Sequence, residues 1–321
     1  MTHALMGRQG LLEILSWARP HDSSVERAFC REFLDTVPGM NADAFGNRFL
    51  AIGENPRVMW SCHVDTVASR GGPQEVRIDG KGLACLAQGK SGMSLGADDG
   101  AGIWIMLGMI AAQRPGLYVF HRGEEVGCLG SSWIRRCNPD FLAGLDAAVA
   151  FDRAGTDDVI THQSFGRTCS DAFASSLASS LNDLNGSFRY KPDNTGVFTD
   201  TNEYADIVPE CTNLSVGYHG QHGPRETLIV GHCEQLLEAM LSLDASTLAI
   251  ERDPSLAGVD HWGCVASYPG EHEDFAEAVA RSPTVAARLL MECGVSLDEF
   301  DWAVFHDDNT ARFGYRPLNA S

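Results

Sequence analysis

Apolar residues recur along this chain at two spacings, helical in some stretches and in short unbroken runs in others, and the two kinds of stretch alternate. Leu11–Trp17 and Ser24–Val37 have helical spacing, the second opened by Ser23 with Glu26 three residues on, the spacing of a capping box. Two apolar runs follow, Arg48–Ile52 and Arg57–Ser61, parted by the turn formers Gly53-Glu54-Asn55-Pro56. The pattern then predicts a helix over Ala101–Ala112, a strand over Gly116–His121, a short helix over Ser131–Arg136 and a strand over Ala147–Phe151. Helical spacing returns in Arg167–Leu184, before a strand over Thr212–Gly217 and a long helix over Glu226–Leu243. Such alternation predicts an α/β fold of three layers, a mostly parallel mixed central sheet flanked by helices. Beyond about residue 250 the pattern changes: Ser282-Pro283 opens one helix that stops at Gly294, and Ser296 with Glu299 opens another. The expected division is a main domain over 1–249 and a helical appendage over 250–321 packed on it.

Composition narrows the partners. The 321 residues suffice for one large core. Lys and Arg total 24 against 43 Asp and Glu, and the net charge of −19 repels phosphate backbones and anionic lipid heads, so neither nucleic acid nor membrane is expected. No apolar run reaches the ~18 residues of a membrane span, and Met1–Gly10 lacks the basic-then-apolar order of a secretory leader, so the expected location is cytoplasmic. Ten scattered cysteines with no Cys-x-x-Cys pair fit buried thiols in a reducing compartment better than a disulfide framework or a thiolate zinc site. The acidic balance also leaves carboxylates in good supply for binding cations.

Residues able to ligate a metal recur just after the predicted strands. Arg57–Cys62 runs into His63-Val64-Asp65, Leu95-Gly96-Ala97 into Asp98-Asp99-Gly100, Tyr118–Phe120 toward Glu124-Glu125, Ala150-Phe151 into Asp152, and Thr212–Tyr218 toward His219-Gly220-Gln221-His222. In an open α/β sheet the carboxyl ends of the strands converge on one crevice, so residues remote in sequence can meet there. Two imidazoles with several carboxylates suit zinc, cobalt or manganese. One carboxylate can bridge two such ions about 3.5–4 Å apart, and a further carboxylate beside them can act as a base.

These strings resemble the motifs of the co-catalytic di-zinc exopeptidases, the clan of bacterial aminopeptidases, tripeptidases and glutamate-releasing carboxypeptidases. The resemblance covers about residues 40 to 245 and begins at Asp43-Ala44-Phe45-Gly46-Asn47, similar to the clan's Asp-x-x-Gly-Asn strand. It implies a metal-dependent hydrolase of peptide or amide bonds with two Zn2+ as cofactors, Co2+ and Mn2+ being alternatives. His63 and Asp152 would hold one ion, Asp98 would bridge both, and Glu125 with His222 would hold the second, His219 being the competitor for that last place. Glu124 would be the general base and Asp65 the carboxylate behind His63 that fixes its imidazole. The resemblance also implies a cis peptide between Asp98 and Asp99. Where relatives often carry Ser or Thr, this chain has Gly223.

Asp152 and His222 are 70 positions apart, whereas lidded members insert a domain on the order of 100 residues there. The chain therefore resembles the lidless, single-domain aminopeptidase form, and the expected substrate is a peptide or an N-acyl amino acid. Thr199–Tyr204 resembles the loop that closes over the site in lidless relatives, and Asp200 or Glu203 could pair with a substrate ammonium, a solvated acidic loop being the alternative. An N-acyl amino acid deacylase and a non-catalytic metal-binding protein are the rival functions, and a homo-oligomer is compatible with the apolar residues Trp262, Trp302 and Phe305. Ala84–Ser91 fits a relaxed phosphate-loop pattern, but Gly92-Met93-Ser94-Leu95-Gly96 after it does not open a helix. His272-Glu273 begins a His-Glu-x-x-His pattern that fails at Ala276.

Overall fold

The computed structural model describes residues 7–88, 92–163 and 166–256. The appendage expected over 250–321 lies, but for its first seven residues, outside them. Eight strands form the main sheet: Asn41–Ala42 (β1), Arg48–Ile52 (β2), Val58–His63 (β3), Gly116–His121 (β4), Ala147–Arg153 (β5), Asp158–Ile160 (β6), Lys191–Asp193 (β7) and Glu210–Ser215 (β8). Their spatial order is β7-β6-β8-β5-β3-β4-β2-β1. The four central strands β8, β5, β3 and β4 run parallel, while β1, β2 and β6 pair antiparallel at the flanks. Every residue of β3, β4 and β8 is buried, as expected of strands covered on both faces.

Side chains along the central strands alternate between two apolar clusters. Trp60, Tyr118, Phe120 and Val149 point into one, Met59, Leu117, Val119 and Ala148 into the other. The first cluster also takes the apolar faces of helices Arg8–Leu15 (α1), Ser24–Phe29 (α2), Ala97–Ala111 (α3), Asp171–Leu184 (α5) and Val230–Ser242 (α6). The second is closed by Leu129–Cys137 (α4) and two short 3-10 turns, Pro139–Leu142 and Asp200–Tyr204. Helix α3 is buried from Ala97 through Ile110, wedged between the sheet and α1 and α6, so it has no solvent face for polar residues. A four-stranded antiparallel sheet made of Val76–Ile78, Leu83–Leu86, Tyr218–His219 and Thr227–Ile229 stands beside the main one.

Several boundaries differ from the sequence expectation. The helix expected over Ser24–Val37 is α2 followed by a π-helical turn, Cys30–Leu34, although Ser23 Oγ does accept the Glu26 N–H at 3.0 Å. Glu26 does not return to Ser23; its carboxylate accepts the Asp22 N–H and is gripped by Arg122. The helix expected from Glu226 begins at Val230, because Thr227–Ile229 finds a strand partner in Leu83–Leu86 that the local pattern does not reveal. The same pairing places Ala84 and Cys85 in a strand, not in a phosphate-binding turn. Among the described residues all eight cysteines are free and six are buried, and no helix is long and apolar enough to cross a membrane.

His232 on α6 is 9% exposed, with Nε2 2.9 Å from the Tyr190 hydroxyl and its ring against Phe188. Burial lowers its pKa from 6.5 to about 4. The unfolded imidazole therefore takes a proton at pH values where the folded one does not, and stability falls as pH drops through that window. Urea titrations should show wild type losing up to about 1.4 kcal/mol per pH unit relative to His232→Gln between about pH 6.5 and 4. Parallel pH profiles for the two proteins would contradict this.

Candidate metal centre

The carboxyl ends of β3, β4 and β5 deliver His63, the Gly123–Glu125 turn and Asp152, and the start of α3, where Asp98 and Asp99 have non-helical backbones, delivers Asp98. The peptide between Asp98 and Asp99 is cis. His63, 1% exposed, has Nε2 2.9 Å from Asp98 Oδ1 and 3.5 Å from Asp152 Oδ1. The other oxygen of Asp98 lies 3.2 Å from His222 Nε2, which in turn is 3.1 Å from Glu125 Oε2. One carboxylate thus faces two imidazoles, and the Nε2 atom of each also lies near a further carboxylate. Both His222 and His219 are exposed, but the left-handed backbone of His222 (φ 62°) turns its ring to this cluster, whereas His219 sits in a strand pairing with Thr227.

Other carboxylates hold the main chain in place. Asp65 accepts the N–H groups of Gly123 at 2.8 Å and of Glu124 and Glu125 at 3.2 Å, forming an anion in a nest of amides. The resemblance implies that the Asp65 carboxylate fixes the His63 ring; in the structure the ring's Nδ1 is 3.0 Å from the Asp65 main-chain oxygen and 3.8 Å from its carboxylate, which is turned to the Gly123–Glu125 amides. Asp99 accepts the His63 and Gly102 N–H groups at 3.2 and 2.9 Å. Asp43 binds the Gly46 and Asn47 N–H groups, and Asn47 in turn accepts from Arg122 N–H and donates to the Gly130 carbonyl, bracing both sides of the Glu124–Glu125 turn. Asp152 is held by the Thr199 hydroxyl at 2.6 Å and the Tyr218 hydroxyl at 3.2 Å.

Burial and mutual repulsion set the protonation of the cluster. Burial lifts Glu124 well above the usual carboxylate range and Glu125 to about 7, with neighbouring carboxylates adding to both shifts. Asp152 is raised by burial and then by Asp98. Burial acts on Asp98 too, but hydrogen bonds from His222 and His63 outweigh it and hold that carboxyl well below its ordinary value. Burial would lower the imidazoles; the carboxylates around them instead raise His63 well above its ordinary value and His222 to about 12.

The donor set fits divalent cations. Donor atoms of His63, Asp98 and Glu125 lie within 4.8 Å of one another, as do those of His63, Asp99 and Asp152. Glu125 Oε1 is buried with no hydrogen-bond partner, an oxygen that a cation would satisfy. Nitrogen and oxygen donors of this kind suit zinc, cobalt or manganese. A third group, His21, Glu26 and Asp65, is also close enough. There Glu26 is already bound by Arg122 at 2.7 and 2.9 Å and Asp65 by three amides.

Some expected and unexpected residues find other roles. Asp200, 1% exposed, accepts from Ser131 and lies 3.4 Å from His121 Nδ1, and burial raises it to about 8. Its carboxylate is engaged by these partners, and Glu203 accepts from the Ser132 hydroxyl at 2.7 Å. Arg153 pairs with Thr195, Asp158 and Asp193. Sequence reasoning missed Arg19, which is wholly buried and donates to the carbonyls of Ile14, Trp17 and Val64. Burial lowers its pKa to about 10, against the pull of Asp99, Asp65 and Glu226. No local signal marks it, since an arginine in sequence is a surface residue by default. Glu226 was also missed as a site residue, although it follows His222 by four positions across a Gly-Pro turn.

The 70 positions from Asp152 to His222 supply β6, β7, β8 and α5, all built into the main layers, and among the described residues they form no separate lid. No family model matches the sequence, and no curated protein does. Solved structures do match. A tripeptidase from Staphylococcus aureus subsp. aureus Mu50 aligns with TM-score 0.55 at 14% identity, over 75% of this chain and 98% of that one. The aminopeptidase PepT from Bacillus cereus ATCC 10987 aligns with TM-score 0.54 at 13% identity, over 75% and 98%. An aminopeptidase from the archaeon Desulfurococcus kamchatkensis gives 0.53 at 13%, over 76% and 96%. The chain has the fold of these peptidases.

Two outcomes test this geometry. A Cβ at Gly102 would lie 2.4 Å from Asp99 Oδ1, so Gly102→Ala should cost about 1–3 kcal/mol in urea unfolding; an unchanged midpoint would show that Asp99 is not fixed there. Both imidazoles must shed protons before they can bind a cation. Zn2+ uptake should therefore release protons and tighten as pH rises, seen as a buffer-dependent heat in calorimetry, and a heat independent of the buffer would speak against this ligand set.

Proposed function

We propose that this chain is a two-cation exopeptidase of the aminopeptidase type, cleaving the amide bond next to the free amino end of a peptide. The observation that carries the reading is the Asp98 carboxylate between His63 at 2.9 Å and His222 at 3.2 Å, with Asp152 3.5 Å from the first imidazole and Glu125 3.1 Å from the second. His63 and Asp152 would hold one ion, Glu125 and His222 the other, and Asp98 would be shared. Bound there, Zn2+, or Co2+ or Mn2+ in its place, would polarise the scissile carbonyl and acidify a water.

The chain's own groups do the rest. Glu124 takes the proton of the attacking water and delivers it to the departing amine. Burial, which raises its pKa, suits a carboxyl that must hold that proton between the two events. Asp65 fixes the Gly123–Glu125 amides, so that the adjacent side chains of Glu124 and Glu125 serve different ends, one as base and one as ligand. The fold shared with aminopeptidases and a tripeptidase supports peptide bonds as the target, and the absence of a lid between Asp152 and His222 among the described residues supports the amino end.

Hydrolysis of aminoacyl-arylamides that is abolished by a chelator and restored by Zn2+ is the expected result. Glu124→Gln should keep its metal and lose at least about 100-fold in kcat. Cleavage of N-acyl amino acids in place of aminoacyl-arylamides would make the chain a deacylase, and bound metal with neither activity would leave a binding protein.

A further inference from the structure

Glu226 lies 1% exposed beneath the loop that carries Asp98, and its two carboxylate oxygens accept different main-chain amides. Oε2 takes the Gly96 N–H and Oε1 the Asp98 N–H, each at 3.0 Å. These amides converge because Gly96 is left-handed (φ 71°), a conformation that glycine adopts freely, and a Cβ there would meet Thr66 Cγ2 at 2.9 Å. Both oxygens are thereby engaged by the backbone.

Its segment matters as much as its contacts. Glu226 N–H donates to the Gly223 carbonyl at 3.1 Å, closing a turn through Pro224 that leads straight back to His222. Asp98 and His222 come from loops 124 positions apart in sequence. Glu226 joins those two loops by hydrogen bonds in a water-poor setting, where such bonds are strong. Asp65 does the same for the Gly123–Glu125 turn, but that turn carries Glu124 and Glu125 without His222.

We propose that Glu226 is a positioning residue that sets the span between Asp98 and His222 and so governs occupancy of the cation position bounded by Asp98, Glu125 and His222. The inference rests on the two-cation reading, and its test is metal content, not turnover. Glutamine at 226 keeps one acceptor and turns an NH2 group against the other amide. Glu226→Gln should bind the second ion roughly 10–100-fold more weakly and weaken the first, which shares Asp98 but keeps His63 and Asp152, by less, read by Co2+ titration with absorption spectra and by elemental analysis. A merely stabilising role would lower the unfolding midpoint and leave both affinities alike, and that result overturns the proposal. Should the variant not fold, amide exchange in wild type decides: slow exchange at Gly96 and Asp98 without added metal is expected, and fast exchange at either overturns it. A wild-type chain that takes up no divalent cation overturns the two-cation reading itself, and this proposal with it.

Discussion

Everything at the carboxyl edge of the sheet depends on where one carboxylate sits. Asp98 is 6% exposed, and its two oxygens face imidazoles delivered by segments 159 positions apart. A shift of an ångström in its backbone would part it from one of them. That backbone is fixed by Glu226 on the Gly96 and Asp98 amides and by Asp99, whose carboxylate spans the His63 and Gly102 amides. The left-handed glycine and the bare Cα of Gly102 make room for both clamps.

Gathering so many acids in a buried place is costly unless each finds hydrogen-bond donors or positive charge. The carboxylates divide by what they bind. Asp43, Asp65, Asp99 and Glu226 are taken up by main-chain amides and shape the turns. Asp98, Glu125 and Asp152 face imidazoles and hydroxyls, and Glu125 keeps one buried oxygen unpartnered. Arg19, buried under the loop, supplies a fixed positive charge near Asp99, Asp65 and Glu226. Rigid acids thus frame the acids that remain available, which is the arrangement a cation site needs if its ligands are to be held ready.

The same division explains what could be read along the chain. Strand ends followed by His or carboxylate were visible because continuous apolar runs mark β3, β4, β5 and β8, and parallel strands bring their ends to one edge. Whether a given acid faces an amide or a ligand was not visible. Asp65 and Asp200 both stand beside ligand-bearing segments, yet one closes a nest of amides and the other turns inward to Ser131 and His121. The strand Thr227–Ile229 was read as the start of a helix because its pairing partner lies near residue 85, far outside any local window.

The sequence by itself determined the alternation of strands and helices, the edge at which the chemistry gathers and the residue types offered there, since these follow from hydrophobic period and chain direction. Only the tertiary structure decided which carboxylate lies between two imidazoles, which ones clamp the backbone and where the buried arginine ends. Those choices turn on ångström distances between segments more than a hundred residues apart, such as Gly96 and Glu226, and on the burial of each group, and neither is encoded in any local spacing.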